Sequence, residues 1–279
     1  MNGASHIAAA LAESMSKSDA VHIVGEALPL SAAGSSLLSA YPDRCHLLPA
    51  ADATLVGFAI GLALAGKIPV VELSGSSAVW GALQQLGQES AALNGEFAAT
   101  MVLRVPIHAP SEHTLRMLDA MPHIKVLCPS DAADAAPLMQ AAIEQTGVTV
   151  VLEPTSVLGA SGGQAGVPAI GEARCIAEGD HVTIAAWGVG VDAAQTAART
   201  LEREGISAEI IDLRSLAPVD IDTLSVSVNK TGRLLLVGAN TAILNQAVKA
   251  AFLRLESPPA TVDATPESIT TEARAAVHY

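Results

Sequence analysis

The chain has 279 residues, half of them apolar, and a formal net charge of −13. This acidic balance argues against nucleic acid and anionic membranes as partners, because their phosphates need clustered lysine and arginine. The three cysteines are widely spaced and form no CxxC pair, which predicts reduced thiols without disulfides or a zinc site. The sequence shows no signal-peptide pattern and no apolar run of ~18 residues, so we expect a cytoplasmic protein without a membrane span.

The first half of the chain alternates short β-branched runs with longer alanine-rich segments. Continuous apolar runs of this kind indicate strands buried on both faces. The predicted strands are Val21–Val24, Ile68–Leu73, Thr100–Val105, Ile124–Leu127 and Val148–Leu152. The predicted helices are His6–Met15, Ala53–Ala65, Val79–Leu93, Leu115–Ala120 and Ala132–Glu144. Such alternation predicts an α/β fold with a mostly parallel sheet between helices.

The alternation is interrupted by Gly159-Ala-Ser-Gly-Gly-Gln-Ala-Gly166 and Pro168, a composition typical of a linker. We therefore predict a first domain at residues 1–158, a linker at 159–170 and a smaller α/β domain at 171–279. The elements predicted in the second domain are Val182–Trp187, Ala193–Glu204, Ala208–Leu213, Ile221–Val228, Leu234–Val237, Ile243–Leu255 and Ala260–Val262.

A glycine pair in the second domain resembles a dinucleotide-binding fingerprint. Gly188 and Gly190 follow a predicted strand and open a helix, and Asp212 ends the next strand. In that fingerprint the glycines admit a pyrophosphate and the acid binds the ribose. An ordinary tight strand-to-helix turn is the alternative, because the motif is short and degenerate.

The chemistry-bearing side chains of the first domain cluster after its strands, where open parallel sheets place their active sites. His108 and His113 flank the loop after a buried strand and are candidate acids or bases, unless they are ordinary solvated histidines. Glu26 and Glu153 follow strands, and Asp52 precedes a helix, where its simplest role would be an N-cap. No histidine spacing predicts a metal site.

Several segments together resemble the transketolase superfamily, and most closely the beta subunit of the decarboxylating component of 2-oxoacid dehydrogenase complexes. The resemblance covers roughly residues 5–240. The segments that carry it are 49–72, Gly25-Glu26, Gly95-Glu-Phe97, Leu103-Arg-Val-Pro106, Met121-Pro-His-Ile-Lys-Val126, Leu152-Glu-Pro154, Gly171-Glu-Ala-Arg174, Glu178-Gly-Asp180, 204–218 and Lys230-Thr-Gly-Arg233.

The resemblance implies thiamine diphosphate shared with an alpha-type partner, which holds the diphosphate and Mg²⁺. It implies an α₂β₂-like assembly, with an acyltransferase core as a further partner. The beta-type chain supplies the aminopyrimidine pocket, in which a carboxylate activates the cofactor. By resemblance that carboxylate is Asp52, Glu26 lies close to the cofactor, and Ala78 stands where an aromatic side chain faces the pyrimidine. By the same resemblance, the Gly188–Ala193 turn binds no dinucleotide and serves subunit packing.

The chain also departs from the family. It has Asp52 in place of glutamate, and Ser74-Gly-Ser-Ser-Ala78 brings no aromatic residue to the pocket. The glycine-rich loop with the catalytic histidine is shortened, and gapless alignment places Pro110 there, so that His108 or His113 could substitute only if the loop is re-aimed. Gly238-Ala-Asn240 replaces a His-Glu pair.

Four functions remain open on this basis. The first is a working beta-type subunit of a pyruvate-like 2-oxoacid dehydrogenase. The second is a divergent subunit that assembles but is catalytically weakened. The third is one half of a two-gene transketolase, for which the candidate loops offer only Arg104 and Arg116 to bind phosphate. The fourth, of a different class, is an NAD-binding oxidoreductase that uses Gly188 and Asp212.

Overall fold

The computed structural model describes residues 2–26, 32–49, 51–92, 99–108, 111–121, 123–162 and 169–279. Its contacts divide the chain into two compact units, residues 1–108 with 117–170 and residues 109–116 with 171–279. Leu93, Gly95–Phe97, Pro110 and residues 163–168 of the predicted linker lie outside the described residues. Within the described ranges, the structure contains no helix long and apolar enough to cross a membrane.

The first unit is built around a parallel sheet with the strand order β5-β6-β4-β3-β1-β2. Its strands are β1 Val21–Gly25, β2 Cys45–Leu47, β3 Ile68–Glu72, β4 Met101–Ile107, β5 Lys125–Leu127 and β6 Val148–Pro154. Its helices are α1 Gly3–Lys17, α2 Ala32–Ala40, α3 Asp52–Leu64, α4 Ala78–Ala92, α5 Glu112–Asp119, α6 Ala132–Glu144 and α7 Thr155–Gly159, and a 3₁₀ turn covers Pro42–Arg44. The helix α5 straddles the division between the units.

Local sequence explains where these helices begin and which face they bury. The side chain of Asn2 accepts a hydrogen bond from the Ser5 amide at 2.9 Å and starts α1. Asp131 does the same for α6, accepting from two amides at 2.9 Å each. Both helices bury apolar residues in one core, which includes Ile7, Leu11, Met15, Leu138, Met139 and Ile143.

Backbone pairing ties residues 160 and 161 of the predicted linker to the start of α1. Thr155–Gly159 forms α7, and Asn2 pairs with Ser161 in an antiparallel bridge. The Gly3 amide donates to the Ala160 carbonyl at 3.1 Å, and a Cβ on Gly3 would lie 2.9 Å from the Val157 carbonyl oxygen. Backbone pairing therefore holds the segment up to Ser161 against the chain's own start. The domain bounds at 158 and 171 stay a prediction.

The second unit contains a sheet with the order β12-β11-β8-β9-β7. The five strands of this sheet are β7 Arg174–Ala177, β8 Val182–Ala186, β9 Ala208–Asp212, β11 Leu234–Val237 and β12 Ala260–Val262. The short strand β10, Ser215–Ala217, is not part of this sheet. Its helices are α8 Val189–Glu202, α9 Ile221–Thr231, α10 Thr241–Ala251 and α11 Pro266–Val277, with a 3₁₀ turn at Phe252–Arg254. The pairing of β7 with β9 is antiparallel, and the other pairs are parallel.

The structure confirms the predicted α/β class and the mostly parallel pairing. It differs at the edges of both sheets, where β2 and β7 were not predicted. It also ends α10 at Ala251, whereas the sequence pattern predicted a continuous helix to Leu255.

Candidate functional site

The carboxyl edge of the first sheet gathers most of the predicted site residues. Because β1, β3, β4 and β6 are parallel, their carboxyl ends meet at one edge, where open α/β sheets bind ligands. Glu26 follows β1 and is exposed, and Ser74 lies two residues beyond β3. His108 follows β4, and Thr155 follows β6.

Asp52 is the first residue of α3, not its N-cap. The N-cap position belongs to Ala51, whose extended backbone makes no side-chain cap hydrogen bond. The simple capping role considered for Asp52 is therefore wrong, although its charge still interacts favourably with the helix N-terminus. The half-buried carboxylate accepts a hydrogen bond from the Ser74 hydroxyl, with 3.3 Å between Oγ and Oδ1.

The wall beside Asp52 is aliphatic and closely packed. Ala78 is the first residue of α4 and is 2% exposed. A Cβ on Gly81 would lie 3.7 Å from the Ala53 nitrogen and 4.0 Å from Asp52 Cβ, so the N-terminal turns of α3 and α4 nearly touch. Trp80 lies on the same turn of α4 but is 63% exposed. Position 78 thus contributes only a buried methyl group.

The two candidate histidines occupy different environments. Nδ1 of His108 lies 3.2 Å from the hydroxyl of Thr155, so neighbouring strand ends bring these two side chains together. His113 is the second residue of α5, is exposed, and belongs to the segment 109–116 that groups with the second unit.

Beneath the strand ends lies a buried ion cluster, Glu72–Arg104–Glu153, which we call the charged triad. Arg104 donates from Nε and Nη2 to the two oxygens of Glu153 at 2.8 and 3.1 Å, and its Nη1 donates to Glu72 Oε1. Only 10% of the Arg104 side chain and 2% of the Glu153 side chain are exposed. Burial acts to lower the pKa of Arg104, but the charges of Glu153 and Glu72 outweigh burial and raise it.

The charged triad corrects one reading of the sequence. Arg104 was considered as a phosphate-binding residue, but its guanidinium is buried and committed to two carboxylates. Arg116, the other candidate, is exposed and pairs with Glu112 one turn earlier on α5. Neither arrangement resembles a set of converging cations that would bind a sugar phosphate.

The glycine turn of the second unit is used for packing. A Cβ on Gly190 would lie 2.9 Å from Val237 Cγ1, so α8 can approach β11 only because this residue is glycine. Asp212 is fully buried and accepts a hydrogen bond from Arg174 Nη2 at 3.0 Å. A carboxylate buried in an ion pair is unsuited to binding a ribose, which argues against the dinucleotide reading.

A second pair of histidines bridges β1 and β2. Nδ1 of His22 and Nε2 of His46 are 2.9 Å apart, and the edge of Phe58 on α3 contacts the His46 ring at a centroid distance of 5.1 Å. Burial lowers the pKa of His22, and the nearby His46, Lys67 and Arg44 lower it further. Burial also lowers the pKa of His46. Burial therefore favours the neutral form of both rings.

Neither a disulfide nor a metal-binding cluster is present in the part of the chain that the structure describes. Cys45, Cys128 and Cys175 form no disulfide bond. Among the described residues, the structure shows no group of three or more His, Cys, Asp or Glu side chains that could hold a metal ion.

Sequence reasoning missed three contributors: the contact of Ser74 with Asp52, the contact of Thr155 with His108, and the charged triad. The only sequence signal for the triad was a charged residue within each of three otherwise apolar strands. The strand order was needed to show that β3, β4 and β6 are neighbours.

Two family models match the chain over nearly its whole length. The model "Transketolase, pyrimidine binding domain" matches residues 1–160, and "Transketolase, C-terminal domain" matches residues 171–277. Together with the two sheets and the carboxyl-edge site, these matches define the chain as a protein of the transketolase superfamily.

Curated relatives narrow the family. The pyruvate dehydrogenase E1 component subunit beta of Acholeplasma laidlawii is 34% identical over 235 residues, covering 76% of this chain and 71% of that protein. The acetoin:2,6-dichlorophenolindophenol oxidoreductase subunit beta of Cupriavidus necator is 33% identical over 216 residues, covering 72% of this chain and 64% of that protein. The chain belongs to the family of pyruvate dehydrogenase E1 beta subunits and their relatives, as its sequence motifs predicted.

Solved structures agree on the fold. A split-gene transketolase, described as an inactive beta4 tetramer, matches with a TM-score of 0.81 and 21% identity, covering 100% of this chain and 98% of that one. A transketolase of Pichia stipitis matches with a TM-score of 0.74 and 16% identity, covering 100% of this chain and 46% of that one. At these identities the likeness is one of fold alone.

Proposed function

We propose that the chain is the beta-type subunit of a thiamine diphosphate-dependent 2-oxoacid dehydrogenase, which completes its cofactor site with an alpha-type partner. The observation that carries the proposal is the half-buried Asp52 carboxylate at the start of α3, hydrogen-bonded to Ser74 and facing the start of α4. Family membership supports the cofactor class, and the geometry supports the role of this residue.

The side chains around Asp52 have the hydrogen-bonding chemistry that an aminopyrimidine ring needs. A carboxylate can hydrogen-bond a ring nitrogen, and while Oδ1 of Asp52 accepts from Ser74, its Oδ2 makes no hydrogen bond to any described residue. Ala78, the buried first residue of α4, offers a methyl group in place of the aromatic side chain that the family places there. Glu26, exposed at the neighbouring strand end, adds a second acid to the same edge.

When bound, thiamine diphosphate supplies the carbanion-stabilising chemistry that decarboxylation of a 2-oxoacid requires. In this proposal Asp52 holds the proton at the pyrimidine nitrogen, and the Ser74 hydroxyl fixes the orientation of the carboxylate. His108, oriented through Nδ1 by Thr155, presents Nε2 for proton transfer, and His113 is the second candidate for that task. We assign Mg²⁺ and the diphosphate to the partner, by resemblance.

The test is turnover of the complex reconstituted with an alpha-type partner, thiamine diphosphate, Mg²⁺ and pyruvate, with an artificial two-electron acceptor. Asp52→Ala should lower turnover by at least about 10²-fold, the lower range for a general acid–base contribution. Assembly, followed by size-exclusion chromatography, should be unchanged.

Asp192→Ala provides the matched control. Asp192 is likewise an acid in the first turn of a helix, α8, although it is exposed, so its removal costs a similar helix-dipole interaction. We expect turnover within about twofold of the original, since the dipole term is small. Equal turnover of the Asp52→Ala complex and the unaltered complex would remove Asp52 from the mechanism.

A divergent, weakened subunit is the second candidate, and Ala78 favours it because a methyl group replaces the aromatic contact of the family. In that case the unaltered complex assembles but turns over no faster than the Asp52→Ala complex. A two-gene transketolase half is disfavoured by the buried position of Arg104, and it predicts transfer between sugar phosphates in the same reconstituted complex.

A further inference from the structure

Each residue of the charged triad lies, in sequence, two to four positions before a residue that makes a contact in the candidate site. Glu72 ends β3, and Ser74, two positions on, holds Asp52. Glu153 precedes Thr155 by two positions, and Thr155 contacts His108. Arg104 lies on β4, four positions before His108, which follows the strand.

The pleat of the sheet aligns these groups. Residues two positions apart on a strand share a face, so Arg104 and Pro106 lie on the same side of β4, and His108 follows two residues after Pro106. Glu72 is the register partner of Arg104, and Glu153 is the partner of Pro106, which shares that face. The Leu73 amide also donates to the Arg104 carbonyl at 3.0 Å, which extends the β3–β4 pairing to the residue before Ser74.

Stability alone is a poor explanation for such a cluster. Two carboxylates and one guanidinium leave a formal charge of −1 in a nearly buried position. Burying charged groups carries a large desolvation cost, and apolar residues of similar volume often stabilise a protein as well or better. A bidentate guanidinium does, however, fix the positions of the groups that it binds, because its donors have a rigid planar geometry.

We propose that Arg104 is a positioning residue: through Glu72 it fixes the Ser74–Asp52 contact, and through Glu153 it fixes the Thr155–His108 contact. The proposal rests on the proposed function for the meaning of those contacts in catalysis. Its structural part, the coupling of one buried guanidinium to two strand ends, can be measured without cofactor or substrate.

The first experiment is amide hydrogen exchange on the full chain without cofactor. Arg104→Lys keeps the charge but loses the bidentate geometry. We expect amide exchange at Leu73–Ser76 and at Thr155–Val157 to become about tenfold faster or more. Opening of these segments then no longer requires breaking the hydrogen bonds of the Arg104 guanidinium to Glu72 and Glu153. Leu103→Ala is the control, because Leu103 is a 1% exposed residue on the opposite face of β4.

Variants that remove only one carboxylate partner of Arg104 make the prediction specific, and they remain informative if Arg104→Lys does not fold. Glu72→Gln should speed exchange at Leu73–Ser76 and leave Thr155–Val157 near the original rate. Glu153→Gln should do the reverse. Uniformly faster exchange in all these variants, as a general loss of stability would give, would overturn the positioning role.

The second experiment is turnover of the reconstituted complex at a temperature where every variant is folded. Arg104→Lys should lower kcat by about 10²-fold, the effect of misplacing reactive groups by ~1 Å. Leu103→Ala should stay within a few-fold of the original kcat. A kcat for Arg104→Lys equal to that of Leu103→Ala would refute the proposal. Retained turnover in Asp52→Ala would instead refute the proposed function and leave the exchange result intact.

Discussion

Replacing Gly190 by alanine separates a packing role from a dinucleotide-binding role for the glycine turn of the second unit. The new Cβ would lie 2.9 Å from Val237 Cγ1 and 3.8 Å from Ala186 Cβ. Gly190 is buried in α8, and a Cβ contact below 3.0 Å requires Val237 to move. Val237 is β-branched and 1% exposed, so it has little rotamer freedom with which to yield.

Two opposing effects decide the size of the loss. Alanine is favoured over glycine in a helix interior by about 1 kcal/mol. Overpacking a dense core by one methyl group costs about 1–3 kcal/mol. We therefore expect Gly190→Ala to lower the free energy of unfolding by up to about 2 kcal/mol. In the Gly190→Ala background, Val237→Ala should cost less than it does alone, with a coupling of at least about 0.5 kcal/mol.

Urea unfolding followed by tryptophan fluorescence, in a Trp80→Phe background that leaves Trp187 as the reporter, measures this effect in the second unit. Trp187 is 2% exposed, and its carbonyl accepts a hydrogen bond from the Gly190 amide at 3.0 Å. Stabilisation by about 1 kcal/mol together with additive double substitution would show that no steric conflict exists. Saturable NAD binding that is lost in Gly190→Ala would restore the oxidoreductase reading.

Three further outcomes follow from the first unit. Burial lowers the pKa of His22 and of His46. The contribution of the two neutral rings to stability is therefore complete above the ordinary histidine pKa of about 6.5 and is lost as the pH falls below that value. His22→Gln should flatten the curve of unfolding free energy against pH in that range. Arg104→Met should cost about 3–5 kcal/mol in thermal unfolding, because it leaves two buried carboxylates without their partner, and the cost should shrink in acid, where those groups take up protons. Asp52→Glu extends the carboxylate by about 1.5 Å past the Ser74 contact and should lower turnover about 10²-fold; a gain in turnover would instead support the weakened-subunit reading.

The sequence was most informative where one physical signal dominated. Runs such as Val148–Leu152 are apolar on both faces and belong to strands that are buried on both faces, so β6 could be predicted from residue type alone. Short edge strands lack that signal. The three-residue strand β2 and the partly exposed β7 are set by pairing with their neighbours.

The helix α11 was missed although local signals for it exist. Thr265 caps it with Pro266 at the first helical position, and Ile269, Ala273 and Ala276 recur on one buried face. Their small total apolar area makes this pattern weak compared with that of the longer helices.

For the candidate site, motif resemblance predicts Asp52 and Ala78, but not the groups that contact them. The Ser74–Asp52 contact joins residues 22 positions apart, and the Arg104–Glu153 contact joins residues 49 apart. Contacts of this kind depend on the strand order of the folded sheet, which no single segment of the sequence encodes.

We propose that this chain forms an aminopyrimidine pocket that becomes a cofactor site only with a partner. Titration calorimetry with thiamine diphosphate and Mg²⁺, on the full chain alone and on its complex with an alpha-type subunit, tests this dependence. We expect saturable binding to the complex, weakened by Asp52→Ala, and no binding to the chain alone. Equally tight binding by the isolated chain would contradict it.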